Sequence, residues 1–135
     1  MSIIVDTCVW SYALRRRDNS MVPSITTQLN QLIQQRKIIM LGAIRQEILS
    51  GIRHETQFER IRLKLRAFPD YPVSISEIET AAQFYNHCRS HGIQGSNTDF
   101  LLCAVAYCHD FTVYTQDKDF YHFQQLLDFK LNLIS

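Results

Sequence analysis

QGSNTDFLLCAVAYCHDFTVYTQD, Gln94 to Asp117, carries three kinds of local signal in succession. Gln94-Gly95-Ser96-Asn97-Thr98 is polar and rich in residues that cap helices. From Phe100 to Cys108 almost every residue is apolar, which predicts a helix enclosed on most sides. Thr112 to Thr115 is a β-branched and aromatic run, which predicts a strand ending two residues before Asp117. A buried helix leading straight into a buried strand is the repeating unit of a parallel α/β sheet.

Working outward, Ser2 to Val5 is a short β-branched run ending at Asp6, and Ile38 to Leu41 is a second apolar run ending at Gly42. Both read as buried strands. Pro72 to Ile75 is a weaker strand, and Lys130 to Ile134 a short one at the C-terminal edge. Amphipathic helices separate them. Ile25, Leu29, Leu32 and Ile33 form one apolar stripe behind a candidate cap at Ser24, and Phe58, Ile61, Leu65 and Phe68 form another. Ser76 followed by Glu79 predicts a capping box that opens a helix burying Ile78, Ala82, Tyr85 and Cys88. Alternating strands and helices predict a mostly parallel sheet covered on both faces with right-handed crossovers, its site beyond the carboxyl ends of the strands.

The 135 residues, 46% hydrophobic, show no internal repeat and no linker-like segment, so residues 1–135 read as one domain. No apolar run reaches the length of a membrane helix, and MSIIVDTCVW lacks a basic lead and a cleavage pattern. A soluble, cytoplasmic protein is expected. Cys8, Cys88, Cys103 and Cys108 lack paired CxxC spacings and read as buried free thiols. A formal net charge of +1 neither requires nor excludes nucleic acid, because phosphate binding depends on local clusters of Lys and Arg.

Four acids stand out. Asp6 follows one strand directly and Asp117 follows another after Gln116. Either would serve equally well as a cap for the next helix. Asp99 falls in the first turn of the apolar helix, where the dipole favours a carboxylate. Glu47, in AIRQEILSGI, lies on the flank of a helix whose buried side carries Ile44, Ile48 and Ile52, and taken alone it reads as a solvent-facing glutamate. Together the four converge on one sheet edge. Such a cluster repels itself and needs a cation, and oxygen-only ligands point to Mg²⁺ or Mn²⁺.

These segments, in this order, resemble the PIN-domain nucleases. VDTCVWSYALR is similar to the family's first strand, acid and hydroxyl-bearing residue, and AIRQEILSGI to the helix with its second acid. SNTDFLLCAVAYCHD resembles the segment with the third acid, and YTQDKDF the last acidic motif. The resemblance runs from Ile3 to Phe120 and is closest to VapC-type toxins of toxin-antitoxin pairs. It implies a three-layer α/β/α sandwich and hydrolysis of RNA phosphodiester bonds at one or two Mg²⁺ ions. Asp6 and Asp99 would be direct ligands, and Glu47 and Asp117 direct or water-mediated ones, with Asp119 as an alternative to Asp117. Thr7 and Thr115 would hydrogen-bond the carboxylates or bound water, although either also reads as an ordinary cap. The resemblance further implies a small antitoxin partner and a homodimer or toxin-antitoxin hetero-oligomer.

Arg15, Arg16, Arg17 and Arg45 are the basic residues placed nearest the acids and are candidate RNA contacts; Arg53, Arg60, Arg62, Lys64 and Arg66 form a further basic run. Trp10, Tyr12 and Phe84 have the chemistry to stack on bases but read better as core. His87 and His91 are spaced to share a metal, yet without a third ligand they read as surface histidines. Two other functions compete. A phosphorylation receiver or similar α/β binding module would want paired acids near its start and a lysine after a late strand, whereas this chain places its acids in four separated segments. A non-catalytic PIN-like scaffold would be expected to have lost acids that are intact here.

Overall fold

The computed structural model describes residues 2–15 and 23–134. In chain order the elements are β1 (Ile3–Val5), α1 (Thr7–Arg15), α2 (Pro23–Gln34), β2 (Ile38–Ile39), α3 (Gly42–Leu49), α4 (Glu55–Leu65), α5 (Ile75–Ser90), α6 (Asn97–His109), β3 (Thr112–Thr115), α7 (Asp119–Leu126) and β4 (Lys130–Leu133). The sheet order is β2-β1-β3-β4 and every ladder is parallel. All three residues of β1 are buried, so helices cover this strand on both faces, as expected of a parallel sheet.

The order places β2 on one side of β1 and β3 on the other. The crevice beyond the carboxyl ends of β1 and β3 is therefore a topological switch point, the place where open α/β sheets hold their sites. Val5 pairs with Tyr114, so Asp6 and Thr115 emerge side by side at that crevice.

Several boundaries differ from the sequence expectation for identifiable reasons. β2 stops at Ile39 because Leu41 already serves as the N-cap of α3 in extended geometry, while Met40 makes a single bridge to Asp70. α2 starts at Pro23, which has no N–H to satisfy at a first helical position, so Ser24 lies inside the helix rather than before it. SISEIE offers two overlapping S-x-x-E frames, and the earlier one is used. Ser74 Oγ accepts from the Glu77 N–H at 3.2 Å, and Glu77 Oε1 accepts from the Ser74 N–H at 2.8 Å. Ile75 then belongs to α5, and no strand forms at Pro72–Ile75.

The frame also changes the buried face of α5. Glu77, Ala81 and Cys88 face inward, Tyr85 is half-buried against Phe100, Ala82 is exposed, and Ile78 is 55% exposed. Glu77 is selected for the interior by its partners. His109 Nε2 stands 3.1 Å from Glu77 Oε2, and Tyr71 Oη lies 2.5 Å from the same histidine nitrogen. Burial alone would raise the Glu77 carboxyl, but hydrogen bonds from Ser74 and the charge of His109 hold it below the usual range.

α6 is the central helix. Phe100 and Leu102 to Ala106 are buried, and Ser96 and Asp99 form a complete capping box at its start. Just upstream, a Cβ built on Gly95 would lie 2.6 Å from Phe123 Cζ and 3.0 Å from Phe100 Cε2. Neither ring can retreat easily, because the two pack against each other with centroids 4.9 Å apart. Gly95→Ala is therefore expected to cost about 1–3 kcal/mol, seen as a lower urea midpoint with an unchanged slope.

Among the cysteines only Cys88 and Cys103 are buried; Cys8 is half-buried and Cys108 exposed, and all four are free thiols. Cys108 lies past the enclosed part of α6, where Tyr107 also reaches solvent. No helix among the described residues is long and apolar enough to cross a membrane.

Candidate active site

Asp6, Glu47, Asp99 and Asp117 all line one open cavity of about 600 Å³ at the switch point. Asp6 is only 6% exposed. Its Oδ1 accepts from the Thr7 N–H at 2.8 Å and its Oδ2 from the Thr115 hydroxyl at 2.7 Å, and the Cys8 thiol approaches Oδ2 at 3.4 Å. The Thr115 hydroxyl in turn accepts from the Asp117 N–H at 3.0 Å, so one buried side chain fixes the acids beyond both central strands. Glu47 joins the group through Thr7, whose hydroxyl donates to Glu47 Oε1 at 2.6 Å.

The electrostatics follow from that packing. Burial pushes the Asp6 carboxyl up; hydrogen bonds from Thr115, Thr7 and Cys8 offset part of this, and the Asp117 charge adds to the rise. Asp99 is raised first by burial and then by the charges of Asp6 and Asp117, against the lowering effect of Ser96. Asp6 and Asp99 thus sense the negative charge of their neighbours, and that repulsion favours whatever positive charge enters the cavity.

The donor set consists of hard oxygens and fits a divalent ion such as Mg²⁺. Among the described residues, however, no three His, Cys, Asp or Glu side chains stand in an arrangement that could hold an ion between them. An ion held there would take one or two of these carboxylates directly, and the other acids would reach it through water.

Asp119 does not line the cavity. Its N–H donates to Asp117 Oδ1 at 2.9 Å, so Asp117 also caps α7, and of the two it is Asp117 that faces the site. Arg45 is likewise outside it. Its Nε donates to Asp70 Oδ1 at 2.9 Å, its Nη1 to the Leu65 carbonyl at 2.9 Å, and its Nη2 to the Phe68 carbonyl. Those contacts hold the end of α4 and the turn after it against α3. Arg16, Arg17 and the Arg15 side chain lie outside the described residues. Arg62 pairs with Glu59 along α4 at 3.0 Å.

The aromatic candidates face elsewhere. Trp10 is 1% exposed and packs edge-on against Phe68; Tyr12 and Phe84 are half-buried against the core. The His87 and His91 rings lie 4.7 Å apart, tilted by 60°, on the surface with no third ligand among the described residues.

Sequence reasoning missed Cys8, Ala43, Gln46, Ser50 and Thr98, which complete the cavity wall. The signal for three of them was available. Ala43, Gln46 and Ser50 recur with Glu47 at helical spacing, opposite the buried Ile44 and Ile48.

Thr115→Val is expected to cost about 1–3 kcal/mol, because it leaves the buried Asp6 oxygen and the Asp117 N–H without their shared partner. Chemical denaturation measures the loss, and Thr115→Ser should recover most of it.

Similar folds occur among solved structures. VapBC2 from Rickettsia felis, bound to a DNA fragment from its promoter, matches at a TM-score of 0.79 and 16% identity over 100% of both chains. FitAcB from Neisseria gonorrhoeae matches at 0.72 and 22% identity over 95% of this chain and 96% of that one. FitAB bound to an IR36 DNA fragment matches at 0.72 and 20% identity over 97% and 94%. No curated protein sequence matches. The family model described as PIN domain matches residues 3–126, a span that contains all four acids and nearly every element of the sheet, and the chain belongs to that family.

Proposed function

We propose that this protein is a divalent-metal-dependent endoribonuclease, the toxin of a VapBC-type pair, acting through Asp6, Glu47, Asp99 and Asp117. The observation that carries the reading is the cavity itself. Four carboxylates from β1, α3, α6 and β3 meet at the switch point, and two of them are held at raised pKa by burial and by their neighbours. A purely structural site would not gather like charges in this way.

When bound, Mg²⁺ or Mn²⁺ neutralises phosphate charge and lowers the pKa of water. The residues divide the remaining work. Asp6, fixed from three sides, and Asp99, fixed by its capping box, are the rigid ligands. Glu47 and Asp117 orient water, with Thr7 and Thr115 holding their positions relative to Asp6. One ion would satisfy these roles.

Likeness in fold to VapBC2 and FitAB supports a small antitoxin partner and a toxin-antitoxin hetero-oligomer or a homodimer. Another cavity of about 320 Å³, with Trp10, Leu29, Ile33 and Phe68 beside Asn30 and Lys64 in its wall, offers such a partner a mixed apolar and polar surface. The Trp10 indole N–H is buried there without an acceptor among the described residues. An RNA substrate and a toxin-antitoxin pairing would be consistent with action in the cytoplasm.

The test is incubation of purified protein with total cellular RNA in Mg²⁺, in EDTA, and in EDTA followed by excess Mn²⁺. Discrete fragments in the first and third conditions alone are expected; fragments that persist in EDTA would overturn the reading.

A further inference from the structure

The wall that α3 contributes to the cavity is one helical face made of Ala43, Gln46, Glu47 and Ser50. Ala43 and Ser50 are small and leave space. Ser50 is also occupied, since its N–H and hydroxyl both donate to the Gln46 carbonyl, at 2.8 and 2.7 Å. That pair of bonds anchors the Gln46 backbone at the end of the helix while its side chain is exposed in the cavity.

The other polar side chains of the wall are mostly committed. Thr7 donates to Glu47, and Cys8 contacts Asp6 and Thr115. The carboxylates repel an RNA backbone unless a cation intervenes. Gln46 and Thr98 are different, being neutral with no side-chain hydrogen bond among the described residues; of the two, Gln46 is the more exposed and carries a donor and an acceptor on one planar group.

A ribose 2′-hydroxyl is also donor and acceptor at once, and it is the group that distinguishes RNA from DNA at a given position. The sugar that bears the scissile phosphate must lie beside the acids that handle the phosphate, and Gln46 directly precedes Glu47. We propose that the Gln46 amide binds the 2′-hydroxyl of the nucleotide at the cleavage point and so makes the enzyme selective for RNA. This inference rests on the hydrolase reading of the same site and assigns Gln46 to substrate choice.

The experiment uses a single-stranded RNA oligonucleotide spanning a cleavage site mapped in total RNA. Its counterpart carries one 2′-deoxy nucleotide on the 5′ side of the cut. Wild type and Gln46→Ala are compared on both with saturating Mg²⁺, and thermal melts confirm folding. Wild type should cleave the deoxy substrate about three- to tenfold more slowly, the effect of one neutral hydrogen bond. Gln46→Ala should slow on all-RNA by a similar factor and show almost no further penalty for the deoxy substitution. A full deoxy penalty retained by Gln46→Ala would overturn the inference while leaving the hydrolase reading intact. Failure of the wild type to cleave any RNA in Mg²⁺ would remove the hydrolase reading, and the Gln46 assignment with it.

Discussion

Cleavage by the Asp6→Asn protein is expected to fall by about three orders of magnitude at saturating Mg²⁺, while the metal-free fold becomes more stable than wild type. Opposite signs for activity and stability are the signature of a residue kept for chemistry. The loss follows from charge: an amide keeps one acceptor oxygen and the shape of the side chain but surrenders the anion that a divalent ligand requires. Several kcal/mol of electrostatic stabilisation disappear with it, about a factor of ten per 1.36 kcal/mol. The gain in stability follows from burial. Asp6 is almost entirely removed from solvent and senses the Asp117 charge, so in the metal-free protein its negative charge is a burden that asparagine relieves. Thr115 can still donate to the amide oxygen, while the Thr7 N–H loses its acceptor on the other side, a loss smaller than the relief of the buried charge. Cleavage rates and melting temperatures in EDTA measure the two effects, and Asp99→Asn should behave alike because its carboxyl is raised by the same causes.

Metal-free protein is expected to lose stability as pH rises from the ordinary carboxylate value, about 3.9, up through the raised values of Asp6 and Asp99. Within that window the folded state binds more protons than the unfolded chain, so the slope of unfolding free energy against pH is negative. Above it, this contribution to stability stays at its lower level. Glu77 acts with the opposite sign, since its carboxyl is held below the usual range and its contribution is lost as pH falls. The acids of the cavity are therefore isolated by difference. Wild type minus the Asp6→Asn, Asp99→Asn double variant should show the negative slope, and Glu77 cancels. Mg²⁺ binds the ionised acids only, so at neutral pH it should restore about 2.7 kcal/mol at one hundred times its dissociation constant, and should restore nothing in the double variant. Urea denaturation over pH 4 to 8, with EDTA or with Mg²⁺, provides both comparisons.

Asp6, Asp99 and Asp117 were legible because each sits at the end of a strongly patterned element. SIIV and TVYT read as buried strands and the run from Phe100 as an enclosed helix, which set the flanking acids toward one sheet edge, although each alone also read as a cap. Glu47 was legible through family resemblance, because a flank position on α3 by itself looks solvent-facing. What remained hidden depends on contacts distant in sequence. SISEIE holds two equivalent capping frames, and only the placement of Glu77 against His109 and Tyr71 selects one. Arg45 looked like an RNA contact by proximity, whereas its guanidinium is occupied by Asp70 and the end of α4. The sequence contains no local mark of either arrangement. Gln46 was readable from helical spacing, but only once Glu47 was known to face a cavity rather than open solvent.

The measurement that addresses the central claim most directly is calorimetric titration of Mn²⁺ into metal-free wild type, Asp6→Asn and Asp99→Asn at neutral pH. Saturable binding to wild type, with loss of binding in both variants, is the result this account predicts. Equal binding to all three proteins, or none to a folded wild type, would contradict it: the four carboxylates would then share a cavity without forming a metal site.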